Sequence, residues 1–349
     1  MSTLANIIIL TYSLISIGLA MLLYPLYIKL LRKLKAGKTI RENNATGEKS
    51  EIFAKLHSHK AGTPTMGGLF MVIMLIMILS FILQKKGIIT YSLRNSKETY
   101  IILFGFFSML IGLVDDWLNI KNFKIKLSAK AKMTGMILFS AFISYWFYVK
   151  LGIDYINLRP LWKIEIIFFP ILTFLTTIGI VNAINITDGL DGLAGGLIII
   201  VLCLGISTFL NGTYIATTII SILISVLVAF LFYNINPAKV FMGDSAFALG
   251  GIVASLLYLL NMRFIIIPFI IIFVFILEFL SSGLQIFWKK MLKRKLFAVA
   301  PFHHLLEYKG MQESTIVMKI WLIQAILGII VIFILVQYLT LKHPIIYIS

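Results

Sequence analysis

The sequence predicts an all-α, polytopic integral membrane protein of about ten transmembrane helices, on three observations. The chain of 349 residues is 60% hydrophobic and only 13% charged, far from the balance of a water-soluble domain of this size. Its mean hydropathy is +1.00. Its apolar runs reach the roughly 17 to 25 residues that a helix needs to cross a bilayer. Stretches such as LFMVIMLIMILSFIL are apolar on every face, which excludes the short alternating segments of a β-barrel.

From the N-terminus, about ten runs are centred near residues 17, 76, 108, 141, 173, 203, 223, 252, 275 and 330. The first is too long for the apolar region of a signal peptide and lacks a basic start and a small-residue cleavage site, so it stays as the first helix. The second follows HSHKAGTPTMGG, and the third closes on VDDW. The fourth follows a basic stretch from Lys121 to Lys132, and the fifth runs into NAINITDGLDGLAGG. The sixth carries the single cysteine, Cys203, read as a small buried hydrophobe; one cysteine excludes both a disulfide and a cysteine metal site within the chain. The eighth opens at VFMGDSAFALGG. The ninth carries Glu278 with Ser281, Ser282 and Gly283, a kink or polar seam for which a structural role is favoured. The last follows the basic KKMLKRK and then APFHH. Residues 1–349 therefore read as a single transmembrane catalytic domain whose active site is formed by loops and helix ends.

Charge orients it. If the runs alternate in direction, one set of loops holds 22 of the 31 Lys and Arg residues, which places that set in the cytoplasm and both termini on the periplasmic side. VDDW, NITDGLDG, VFMGD and APFHH all fall on the charge-rich side. A net charge of +17 is explained equally by topology signals with anionic lipid headgroups and by an anionic substrate. Nucleic acid is excluded as a partner, because the basic residues are dispersed over several loops without interleaved stacking aromatics.

Six of the 14 acidic residues sit in or at the end of apolar runs: Asp115, Asp116, Asp188, Asp191, Asp244 and Glu278. A carboxylate there costs several kcal/mol unless paired or hydrated, so each is a functional-site candidate. Asp115 and Asp116 are neighbours, about 100° apart on a regular helix, and so take different roles. Asn182, Asn185, Asp188 and Asp191 step by three and would wind halfway round a straight α-helix. They converge only if the segment is 3₁₀-like or breaks at Gly189 and Gly192, so the stretch reads as irregular backbone between two spans, polar because it lines a hydrated site. Capping of a helix start accounts for one or two of the four. With Asp244 these segments offer hard oxygen ligands on one face, suited to Mg²⁺ or Mn²⁺ rather than zinc. Because Mg²⁺ uses few carboxylates and completes its shell with phosphates, the matching partner is a pyrophosphate.

In HSHKAGTPTMGG, Lys60 and exposed backbone N–H groups could receive an anion; a tight loop leading into a helix is the plainer alternative. His303 and His304 in APFHH allow phosphate binding or proton relay, or are a histidine pair on a surface loop.

GTPTMGG, VDD, NAINITDGLDGLAGG, VFMGD and APFHH, in this order over nearly the whole chain, resemble the phospho-N-acetylmuramoyl-pentapeptide-transferase family of the polyprenyl-phosphate phosphosugar transferases. The resemblance implies transfer of phospho-MurNAc-pentapeptide from UDP-MurNAc-pentapeptide to undecaprenyl phosphate, giving lipid I and UMP. It also implies Mg²⁺, multi-pass residence in the bacterial inner membrane with the site facing the cytoplasm, and a homodimer. The alternative within the superfamily is transfer of HexNAc-1-phosphate from a UDP-HexNAc donor. By the same resemblance Asp244 is the Mg²⁺ ligand, Asp115 the base for the acceptor phosphate, and Asp116 its catalytic neighbour. Lys60, Thr65, Asn182, Asn185, Asp188 and Asp191 line the nucleotide and diphosphate pocket, and His303 and His304 contact substrate. The chain departs from the family pattern in Leu305, where a third histidine is usual, in Asn119, where a lysine is usual, and in SAFALGG after Asp244, which is a residue shorter. An ion-coupled transporter is the reading from another class. The acids cluster at one face rather than at the midplane between repeats, which argues against it.

Overall fold

The computed structural model describes residues 3–37, 58–85, 108–110, 112–118, 129–151, 155–158, 162–165, 169–207, 214–244, 246, 249–250, 252–253 and 266–342. The described part is mostly helical. Its helices are α1 (Thr3–Lys33), α2 (Gly67–Lys85), α3 (Ala129–Leu151), α4 (Phe169–Thr187), α5 (Leu193–Ser207), α6 (Tyr214–Asn234), α7 (Ile266–Ile271), α8 (Phe273–Leu292), α9 (Phe302–Tyr308) and α10 (Glu313–Lys342). Helix is what these sequences require, since hydrocarbon offers backbone groups no outside partner and a helix satisfies them within the segment. Among the described residues, three helices are long and apolar enough to cross a membrane: Asn6–Lys33, Thr217–Asn234 and Glu313–Ile334. The runs expected near residues 108 and 252 lie largely outside the described residues.

Helix α6 stands in the middle. Its membrane-length window is 61% buried, against 22% for α1 and 33% for α10. It packs on α1, α2 and α5, while α4 packs on α3 and α8, and α10 on α5. The rings of Tyr24, Phe70 and Phe230 join α1, α2 and α6, with centroids 4.3 Å apart for Tyr24 and Phe70 and 6.1 Å for Tyr24 and Phe230. The outer faces are apolar as well: Leu22 is 73% exposed on α1 and Phe333 63% on α10. Such faces suit lipid, because hydrocarbon penalises exposed polar groups rather than apolar ones.

The helix is interrupted at Ile272, between α7 and α8, and the interruption is bridged from α10. The fully buried Gln324 accepts from Val274 N–H at 3.0 Å and donates through Nε2 to the Ile270 carbonyl at 3.4 Å. This is the satisfaction a broken helix needs in a low-dielectric setting.

One element departs from the all-α expectation. β1 (Tyr155–Leu158) and β2 (Trp162–Glu165) pair antiparallel, with Tyr155 opposite Glu165 and Leu158 opposite Trp162. Tyr, Ile and Trp favour strands, and the segment is too short and too polar to continue either neighbouring span. The hairpin joins the far ends of α3 and α4, away from the polar ends that carry the acidic residues.

Candidate active site

The expected site residues lie at helix ends on one face of the bundle, and the structure sorts them into three adjoining groups.

The first gathers the acids. Asp115 and Asp116 lie in the helical segment 112–118 and are 1% and 5% exposed. Lys132, near the start of α3, places its Nζ 2.5 Å from Asp115 Oδ2 and 2.6 Å from Asp244 Oδ2. Asp116 Oδ1 accepts the Asp244 N–H at 3.2 Å. The two neighbouring acids thus use their different directions to hold one loop: one meets the Asp244 side chain through a shared ammonium, the other meets its main chain. Gly243 makes the approach possible. Its φ of +77° is unfavourable for a residue with a Cβ, and a Cβ there would lie 2.5 Å from Thr65 Oγ1 and 2.8 Å from Asp116 Oδ2. Gly243→Ala is therefore expected to destabilise the protein by at least about 1–2 kcal/mol from the backbone alone, and to spread Thr65 from Asp116. Thermal unfolding in detergent and the turnover rate, measured on the same sample, would check both.

Two main-chain ties set the same loops together. Gly67 N–H donates to Phe241 O at 2.8 Å and Phe241 N–H donates to Pro64 O at 2.8 Å, so the GTPTMGG loop and the VFMGD loop run side by side. Thr65 is half-buried at this junction, its N–H donating to Ala36 O at 2.8 Å.

The second group is built on Lys60, at the end of the one-turn 3₁₀ helix Ser58–Lys60 and only 5% exposed. Its Nζ lies 2.8 Å from Asp191 Oδ1 and 2.5 Å from Glu313 Oε1. Glu313, in the first turn of α10, also accepts the Asp191 N–H at 2.6 Å. Asp191 Oδ2 takes the Ala238 N–H at 3.0 Å and Asn236 Nδ2 at 3.2 Å. One buried cation therefore ties the Lys60 loop, the aspartate turn, the loop after α6 and the start of α10.

The NAINITDGLDGLAGG stretch is α-helical to Thr187, turns over residues 188–192, and is helical again from Leu193. The break falls at the two glycines, with Gly192 at φ +81°. Its N–H donates to Asn234 Oδ1 at 3.1 Å, and Asn234 Nδ2 donates to Val240 O at 2.8 Å, tying the turn to the VFMGD loop. The four stepped residues do not all converge. Asp188 and Asp191 share the turn, Asn185 is half-buried on the last turn of α4, and Asn182 is a turn further back, its Nδ2 donating to Ile178 O at 2.8 Å.

The third group holds the histidines, at the start of α9. His303 is fully buried and His304 7% exposed, their rings 4.1 Å apart. His304 Nδ1 lies 2.6 Å from Glu307 Oε2. His303 Nδ1 lies 2.9 Å from Oε2 of the fully buried Glu278. Both rings rest against Gly189 of the aspartate turn. Leu305, where the family usually has a third histidine, is half-buried with its N–H donating to Pro301 O at 3.2 Å.

Lys132, Asn236, Glu307 and Glu313 were not singled out from the sequence. Lys132 closes a lysine-rich stretch of the kind that topology alone produces, and Glu313 resembles any acid in the first turn of a helix. Asn119 and most of SAFALGG lie outside the described residues.

The model of the family described as Glycosyl transferase family 4 matches residues 99–261, which include all five aspartates of the first two groups and their turn. The phospho-N-acetylmuramoyl-pentapeptide-transferase of Clostridium acetobutylicum is 33% identical over 322 residues, covering 91% of this chain and 96% of the relative. Those of Petrotoga mobilis and Staphylococcus carnosus are each 34% identical, again over 91% of this chain and 96% of the relative.

Proposed function

Because the chain belongs to the phospho-N-acetylmuramoyl-pentapeptide-transferase family, we propose that its site moves phospho-MurNAc-pentapeptide from UDP-MurNAc-pentapeptide to undecaprenyl phosphate, giving lipid I and UMP. The observation that carries the mechanism is the meeting of two separate segments, with Asp115 and Asp244 sharing Lys132 and Asp116 accepting the Asp244 N–H. Phosphoryl transfer asks a protein chiefly for positioning and for charge at the phosphate oxygens. An oxygen of the acceptor phosphate attacks the sugar-linked phosphorus of the donor, the bond from that phosphorus to the UMP oxygen breaks, and UMP leaves with the negative charge. Asp115 takes the acceptor phosphate's remaining proton, and Asp116 fixes the Asp244 main chain. Direct in-line attack is favoured over a covalent aspartyl intermediate, because the acceptor phosphate is already anionic.

Lys60, Thr65, Asn182, Asn185, Asp188, Asp191, His303 and His304 are proposed as the walls of the donor pocket. Lys60 places its cation 2.8 Å from Asp191 of the aspartate turn, and His304 is the more accessible of the two rings. His303, fully buried, reaches substrate only through its neighbours.

Mg²⁺ fits the residues present. Carboxylate oxygens of Asp115 and Asp244 already converge on one positive group, Lys132, and hard oxygens suit this ion. No group of three or more ligating side chains forms a cage among the described residues, in keeping with an ion held mainly by substrate phosphates. Asp244 would hold it, and when bound it would neutralise charge on the transferred phosphoryl group.

The proposal extends to topology: ten spans forming a single catalytic domain, both termini periplasmic, and the site facing the cytoplasm of the bacterial inner membrane. The test is UMP release by purified protein with undecaprenyl phosphate, comparing UDP-MurNAc-pentapeptide with UDP-GlcNAc, each with and without EDTA. Release with the muramyl donor alone, abolished by EDTA and restored by Mg²⁺, is the expected result. Release from UDP-GlcNAc would move the chain to the sister activity, and undiminished release in EDTA would remove the metal.

A further inference from the structure

The candidate mechanism leaves one buried acid without a task. Glu278 sits on α8 with no exposure, and a buried carboxylate is retained at a cost of several kcal/mol unless its partners compensate. Its Oε2 accepts two hydrogen bonds from one residue: the His303 main-chain N–H at 3.3 Å and the ring Nδ1 at 2.9 Å. The main-chain bond makes this oxygen an acceptor, so the ring nitrogen beside it is the donor and Nδ1 carries a proton. Ser281 completes the cradle, its Oγ donating to the Glu278 carbonyl at 2.8 Å and accepting the Phe302 N–H at 3.1 Å.

What the pair holds is the aspartate turn. His303 Nε2 has no hydrogen-bond partner and lies against Gly189, in the space a side chain would need; His304 Nε2 comes within 3.1 Å of the same point. Glu278 Oε1 is also without a hydrogen-bond partner. Buried polar groups ordinarily have hydrogen-bond partners, so a buried carboxylate oxygen and ring nitrogen left without them, the nitrogen against the aspartate turn, call for a role there. The chain of contacts runs from Glu278 through His303 to the residue between Asp188 and Asp191.

We infer that Glu278 is a positioning residue for the donor pocket: by fixing the His303 ring against Gly189 it sets the turn that carries Asp188 and Asp191. This deepens the reading of the site as a lipid I transferase and rests on it for the choice of donor. Glu278 touches no reacting atom, and its effect is on donor binding rather than on the acceptor lipid.

The experiment compares wild type, Glu278→Gln, His303→Gln and the double variant in detergent. The donor KM of Glu278→Gln is expected to rise about tenfold, the usual size for loss of a residue that orients another. The acceptor KM should stay constant, and the double variant should do no worse than the poorer single one. An unchanged donor KM, an equal rise in the acceptor KM, or additive losses would overturn the inference. Wild type is the control for the donor itself: its failure to release UMP from the muramyl donor counts against the proposed function. Hydrogen exchange of the segment 187–193 needs no substrate and reads positioning directly. It should quicken in Glu278→Gln while the segment 112–118 keeps its wild-type rate. Unchanged exchange at 187–193, or equal loss of protection in both segments, would overturn the inference whatever the donor.

Discussion

Replacing Asp115 by Asn is expected to lower the rate of UMP release by roughly 10²- to 10⁴-fold, the range for removing a positioned general base. The substitution keeps the size of the side chain, so the packing of this 1% exposed residue is little disturbed. It removes a proton acceptor and half of the negative charge around Lys132, which keeps Asp244 Oδ2 at 2.6 Å. Donor binding, placed at the Lys60 group, should change far less than the rate. Asp244→Asn should cause a loss of similar size for a different reason, since it removes the proposed Mg²⁺ ligand, and raising Mg²⁺ should restore part of its activity but none of that of Asp115→Asn. Single-turnover UMP release across a Mg²⁺ series separates the two. A rate for Asp115→Asn within a few fold of wild type would remove that residue from the chemistry, and Asp116 would become the base to test.

What could be read from the sequence follows from which signals hydrocarbon makes visible. A carboxylate in an apolar run stands out because it is expensive there, and the structure brings Asp115, Asp116 and Asp244 together as a group. The break in NAINITDGLDGLAGG was legible from Gly189 and Gly192, and the turn falls on residues 188–192. Asn182 does not share it, because a side chain that bonds its own helix carbonyl gives the same three-residue spacing as one that lines a site. Partners were harder to see. Lys132 stands near the start of α3, at the end of a lysine-rich stretch of the kind that topology alone produces, and Glu313 at a helix start, where acids are favoured by the helix dipole. Both become informative only through contacts between segments distant in sequence. Glu278 was visible as a buried acid, but its bond to His303 spans 25 positions and needs the fold to be known. The β1–β2 hairpin was missed because its residues border apolar spans and are too few to alter their periodicity.

Lys60→Met is expected to be the most destabilising single change at the site. The lysine is 5% exposed and stands between Asp191 and Glu313, so its removal leaves two carboxylates facing each other with no cation between them. Breaking a buried ion pair by removing one partner costs about 3–5 kcal/mol, mostly the penalty of the charge left behind. The four segments tied by this cation should loosen together, and the thermal unfolding midpoint in detergent should fall accordingly. Methionine keeps the apolar stem, so lost packing contributes little. Glu313→Gln in the same protein removes one of the stranded charges while keeping its acceptor for the Asp191 N–H, and should recover most of the stability. Donor binding should not recover with it, because the ammonium proposed to meet the diphosphate is still absent. The double variant therefore separates the two tasks of Lys60. If stability and donor affinity return together, the lysine serves only to hold the loops; if stability alone returns, it also binds the donor. A single variant as stable as wild type would mean that Asp191 and Glu313 bear their charges without it, and the network would lose its claim to organise the site.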